Sequence, residues 1–147
     1  MKSFKFAALG LAVALTGCAS GPAFKDVQST FPKLSADQGR IYFYRESSMF
    51  GAAIQPSIKL DGVDVGTSKP GGFFYVDTKV GGHEVSTSTE VENKLTFVVA
   101  NGETKYVKTS PHMGVMVGHV VPELIEPEEA KKDIVDLSYT NEKQAKE

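Results

Sequence analysis

Asp61-Gly62, set between Ile58-Lys59-Leu60 and Val63-Asp64-Val65, constrains this chain more than any other pair. Asp-Gly is a favoured centre for the two-residue type I′ turn, whose twist matches that of the strands it joins. Such a turn sets Leu60 opposite Val63 and Ile58 opposite Val65, which gathers four branched side chains on one face. A lone hairpin with one apolar face is marginal in water and needs a second layer over it. The rest of the chain must therefore supply sheet.

It does so in short runs with turn punctuation. Ile41-Tyr42-Phe43-Tyr44 is apolar or aromatic on both faces, as a central strand is, and Arg40 and Arg45 bracket it. Ser47–Ala53 reads as a loop of small residues, and Lys69-Pro70-Gly71-Gly72 as a turn into the strand Phe73–Val76. Gly81-Gly82 makes a break before a polar strand from His83 to Glu90. Leu95–Ala100 reaches Asn101-Gly102, which predicts a hairpin into Glu103–Thr109. A two-residue loop there pairs Phe97 with Tyr106, and a three-residue loop pairs Phe97 with Val107. Val115–Val121 reads as a last apolar strand, with Gly118 at a bulge or a close backbone approach.

The two ends differ in texture. Phe24, Val27 and Phe31 fall on helical spacing between Pro22 and Pro32. This fits one or two helical turns, or equally a linker whose aromatics pack on the domain. Pro127-Glu128-Glu129-Ala130-Lys131-Lys132 places proline and acids first and lysines later, as the helix macrodipole favours. An edge strand at Ile134–Leu137 and a frayed tail over 139–147 complete the reading. About seven strands at spacings near ten residues predict an all-β, antiparallel sandwich over 39–138.

Three stretches carry a resemblance. Gly39–Arg45, Ile58–Gly66 and Gly81-Gly82-His83-Glu84-Val85 resemble a family of small bacterial lipoproteins whose domain is catalogued as domain of unknown function 2846. The Asp-Gly hairpin followed by Gly-Gly-His is also similar to PEGA-type surface modules. These motifs are structural, and the resemblance implies no catalytic residue.

The N-terminus gives an address. Lys2 and Lys5 precede ten small or apolar residues, Phe6–Leu15, and then Thr16-Gly17-Cys18, which contains the sole cysteine. This is the layout of a secretory signal over 1–17, too short for the roughly 20 apolar residues that span a bilayer. Leu15-Thr16-Gly17-Cys18 looks like the lipobox of bacterial lipoproteins. The resemblance implies cleavage between Gly17 and Cys18, diacylglycerol on the thiol, acylation of the new amino terminus and a tether over 18–38. Ala19 and Ser20 stand where an aspartate signals inner-membrane retention in enteric-type bacteria. The implied destination is the periplasmic face of the outer membrane, with a palmitate-type anchor as membrane partner.

Removing residues 1–17 from 147 leaves 130 and takes away two lysines, so a net charge of −2 becomes −4. That length suits one domain. The mildly acidic, mixed surface argues against nucleic acid. Gly66-Thr67-Ser68-Lys69-Pro70 lacks the second glycine of a nucleophile elbow, and Ser110 near His112 carries no triad geometry. His83, His112 and His119, with Glu123 and Glu126 nearby, have metal-ligand chemistry without ligand spacing. Tyr42, Tyr44, Phe73, Phe74 and Tyr75 read as core before they read as a glycan or peptide platform, and Ser86–Thr89 reads as a solvated face. The expectation is a non-enzymatic envelope lipoprotein that serves as an interaction or support module, without cofactor, metal or disulfide. Its partner class is an envelope protein or a glycan. The alternative is a small-ligand-binding or inhibitor lipoprotein with a pocket at the aromatic strands or the Phe50 loop.

Overall fold

A computed structural model describes residues 17–140; residues 1–16, which carry all but the last position of the expected signal, and residues 141–147 lie outside the described residues. A short helix α1 (Phe24–Val27) and a 3-10 turn (Gln28–Thr30) come first. The strands are β1 (Gln38–Arg45), β2 (Ser57–Leu60), β3 (Val63–Thr67), β4 (Gly72–Lys79) and β5 (Gly81–Ser88). There follow β6 (Glu92–Val99), β7 (Thr104–His112), β8 (His119–Ile125), helix α2 (Pro127–Ile134) and β9 (Ser138–Tyr139). One sheet has the order β8-β7-β1-β4-β9 and the other β3-β2-β5-β6, and they form the expected sandwich. Two ladders, β1 with β7 and β4 with β9, run parallel within it.

The alternation along β1 explains why its sequence is apolar on both faces. Ile41 and Phe43 point between the sheets and join Ile58, Leu60, Val65, Phe74, Val76, Val85, Val99 and Val107. Tyr42 and Tyr44 point outward and join Phe73, Tyr75 and Tyr106 beneath Phe24, Ala130, Ile134 and Leu137. The molecule thus has three layers: sheet, sheet, and a cover made by α1 and α2. Segment 19–38 is part of that cover. Phe24 packs edge-on to Tyr42 and Phe73, and Phe31 lies against Tyr75 and Tyr139.

The Asp-Gly turn has positive φ at both centres, +52° at Asp61 and +83° at Gly62, as a type I′ turn requires. Leu60 faces Val63 as expected, but Ile58 faces Gly66 because a bulge makes Val65 the extra residue. Space dictates this register: a Cβ on Gly66 would sit 2.6 Å from the Phe74 ring, so only glycine fits there. The N–H of Gly66 donates to Asp64 Oδ1 at 3.2 Å, a local bond that turns offer an interrupted ladder. Val63 stays exposed, so three of the four branched side chains enter the core.

Four expectations about strands need correction. Asn101-Gly102 turns the chain from one sheet to the other rather than closing a hairpin. Phe97 pairs with His83 of β5, while Tyr106 pairs with Tyr42 and Val107 with Phe43 of β1. The strand expected at Val115–Val121 begins only at His119, as β8, and Met113–Val117 is an exposed loop ahead of it. Gly81-Gly82 opens β5, and the break falls just before it, at Val80. Ile134 closes α2, where it is fully buried, and the edge strand is Ser138–Tyr139. Tyr139 and Thr140, assigned by sequence to the tail, donate backbone N–H to Pro22 and Phe73 carbonyls.

Candidate functional site

β1 ends at Arg45 opposite Gly72 of β4, and Gly72 lies beside Ser138 of β9. β5 ends at Ser88, one residue beyond the Thr87–Ile58 pair, next to the start of β2. One pole of the sandwich therefore carries the loops 46–56, 68–71, 89–91 and 113–118. The turns at Asp61-Gly62, Val80 and Asn101-Gly102 occupy the opposite pole.

Cys18 sits at the first pole. It is exposed, and the chain after it leaves no slack. Ala19 donates its N–H to the Pro70 carbonyl at 3.1 Å. Gly21 lies so close to the Tyr139 carbonyl that an added Cβ would overlap it, and Ala23 forms a bridge with Ser138. An open cleft of about 670 Å³ beside Cys18 is lined by Ser20, Gln55, Lys69, Tyr139 and Thr140 among others.

Arg45 organises the neighbouring loop. The side chain is almost fully buried, and it donates to the carbonyls of Gly51 (2.7 Å), Ile54 (2.6 Å) and Ser68 (3.2 Å). Burial pushes the guanidinium pKa down, yet an arginine still keeps its charge. The carbonyl cage offsets part of its desolvation and fixes the loop bearing Met49 and Phe50.

The 113–118 loop is built around a carboxylate. Glu90 accepts the N–H groups of Val115 (2.8 Å), Met116 (3.0 Å) and Val117 (2.9 Å). Those of Val117, Met116 and Val115 hold its pKa below the ordinary glutamate value, because backbone donors favour the charged form. Gly114 and Gly118 make room: a Cβ on Gly114 would overlap Glu90 Oε1 and crowd the Gly118 nitrogen at 2.5 Å, and Gly118 has φ +100°. A depressed native pKa means the contribution is complete at neutral pH and disappears as pH falls through the native value. The amides of Val115–Val117 are thus expected to titrate with a midpoint below the ordinary glutamate value. NMR shifts followed against pH check this, and a midpoint at or above that value contradicts it.

The histidines fall in two places, His83 apart from the other two. The ring nitrogens of His83 lie 2.6 Å from Asp61 Oδ2 and 2.8 Å from the Lys79 carbonyl, and Asp61 Oδ1 accepts the Glu84 N–H. This closure joins the Asp-Gly turn to the Gly-Gly-His segment, at the pole away from Cys18. His112 and His119 pair across β7 and β8 with stacked rings 6.0 Å apart. Glu123 on β8 faces Lys108 on β7, and Glu126 precedes α2 as its N-cap residue. Among the described residues no three His, Cys, Asp or Glu side chains gather as a metal site. Ser110 and His112 lie on one strand, opposite Val121 and His119, and Ser68 is buried against Thr109.

The aromatic strands are interior. Tyr42, Tyr44, Phe73, Phe74 and Tyr75 are all buried. Tyr44 donates to Asp133 at 2.9 Å, and Lys108 bridges Asp133 and Glu46. Burial, with the Asp133 contact, pushes the Tyr44 hydroxyl pKa up. This network docks α2. The hydroxyl strand is likewise partly interior, with Ser86 and Thr87 buried and Thr87 donating to the Val120 carbonyl. Sequence reasoning missed the exposed Met113–Val117 loop because its apolar run read as a strand. The signal was Gly114 and Gly118 at both ends of a three-residue run.

A family model described as "Protein of unknown function (DUF2846)" matches residues 35–120, more than half of the chain. An uncharacterized protein of Haemophilus influenzae is 32% identical over 135 residues, covering 88% of this chain and 80% of that protein. No solved structure matches the chain.

Proposed function

The chain is a member of the DUF2846 family, and we propose that it is a lipid-anchored lipoprotein of the cell envelope. It acts there as a non-enzymatic interaction or support module, cut between Gly17 and Cys18 and acylated at Cys18. The observation that carries this reading is the Leu15-Thr16-Gly17-Cys18 string, whose cysteine is exposed where the fold begins. Two or more acyl chains hold a protein stably where one holds it only reversibly. The lipobox resemblance and Ala19-Ser20 favour the periplasmic face of the outer membrane. Among the described residues no helix is long and apolar enough to cross a membrane, so the anchor is the membrane attachment this reading relies on.

The aromatic-pocket alternative has less behind it, since Tyr42, Tyr44, Phe73 and Tyr75 are covered by α1, α2 and Phe31, and Phe74 is buried between the sheets. Cys18→Ala tests the anchor. The variant is expected to leave the membrane fraction or to accumulate as an uncut precursor. A variant that stays membrane-bound at mature size contradicts the assignment.

A further inference from the structure

We propose that the pole around Cys18 is a bilayer-contacting surface, with the side chains of Met49, Met113, Val115 and Met116 seated in the lipid interface beside the anchor. This rests on the acylation of Cys18. These four are the large apolar side chains at least 80% exposed among the described residues, and all lie at this pole. Phe50, Val91 and Val117 there are at least half exposed as well.

Geometry selects lipid as the occupant. Ala19 is hydrogen-bonded to Pro70, so acyl chains on Cys18 enter the bilayer within one residue of the folded domain. One residue spans at most about 3.6 Å, and the pole cannot be held clear of the membrane. The five-stranded sheet puts the 113–118 loop about four strand spacings from β9, roughly 19 Å, within the footprint of the same domain. β7 runs past β1 here: Lys108 pairs with Tyr44, so His112 extends three residues, about 10 Å, beyond Arg45. The apolar loop is the tip of that projection. Ile54 meets Gly118, with a Cβ there 3.0 Å from Ile54 Cδ1, so the Met49 loop and this tip form one continuous surface.

The tip is also suited to an apolar medium. A backbone N–H left unpaired in lipid costs several kcal/mol. The exposed Glu90 carboxylate, at the base of the loop, takes the donors of Val115, Met116 and Val117. The loop's backbone is thus paired and its apolar side chains face outward, while the charge itself stays at the polar level of the interface. The mature charge of −4 makes electrostatic attraction to anionic lipid an unsuitable alternative drive.

The test uses the full-length, processed protein in vesicles of phosphatidylethanolamine and phosphatidylglycerol. With Cys18 acylated, Val115→Cys or Asn101→Cys carries the sole free thiol for a spin label, at the Cys18 pole or the opposite one. The label at 115 is expected to collide several-fold more with oxygen dissolved in lipid, relative to a water-soluble nickel chelate, than the label at 101. Equal, water-like accessibility at both positions overturns the proposal, and so does a label at 115 shielded from both reagents, which means that a protein covers the loop. Mass analysis of the same sample separates the two readings. An acylated Cys18 with a water-exposed label removes only the bilayer contact, whereas an unmodified Cys18 removes the anchor and the contact together.

Discussion

Phe24→Ala is expected to lower the stability of the domain by about 3–5 kcal/mol, the usual range for emptying a buried phenylalanine site. A spacer residue between an anchor and a domain would change nothing. Phe24 is buried, its ring centroid 5.4 Å from Tyr42 and 5.2 Å from Phe73 in edge-on contacts. Its N–H donates to the Leu137 carbonyl at 2.9 Å, and that of Lys25 to Val135. The substitution therefore opens a cavity under α1 and loosens the junction with α2. Denaturant unfolding of the mature chain measures it. An unchanged midpoint would make segment 19–38 a tether after all.

Arg40→Ala is expected to cost a similar 3–5 kcal/mol, because it leaves a buried carboxylate without its partner. Arg40 forks onto Asp77 at 2.6 and 2.9 Å, donates to the Pro32 carbonyl at 2.7 Å and lies 4.3 Å over the Tyr75 ring. The side chains of Arg40 and Asp77 are only 11% and 15% exposed. The Asp77 hydrogen bond raises the arginine pKa against the opposing effect of burial. Removing Asp77 as well should recover part of the loss, since no unpaired charge then remains. A double-mutant cycle reads the coupling directly, and strictly additive losses contradict the account. Arg40→Lys is not expected to substitute, because an ammonium cannot make the planar fork.

Local chemistry was legible in the sequence and long-range pairing was not. Asp61-Gly62 announced its turn because two positive φ angles demand those residue types. Pro127 and the charge order after it announced α2 in the same way. The double-sided apolar pattern of β1 pointed to a strand buried on both faces, as it is. By contrast, Asn101-Gly102 turns the chain just as Asp61-Gly62 does, yet its strands go to different sheets. A turn signal fixes the bend, while partner choice depends on which edge is free. The shift at Val65 depended on Phe74, which is near in sequence but belongs to the facing sheet. Met113–Val117 misled for a related reason: apolar runs usually mean core, and only Glu90, far away in the chain, shows that this backbone is held as a loop. At the candidate site, Cys18 was visible, but the pinning of Ala19 and the gathering of apolar loops around it were not.

Mass analysis of the N-terminal peptide from the membrane-extracted, full-length gene product tests the central claim most directly. The account predicts a chain that begins at Cys18, with a diacylglyceryl thioether on its sulfur and an acyl group on its amino nitrogen. A chain that begins elsewhere, or a Cys18 with a free thiol, contradicts it.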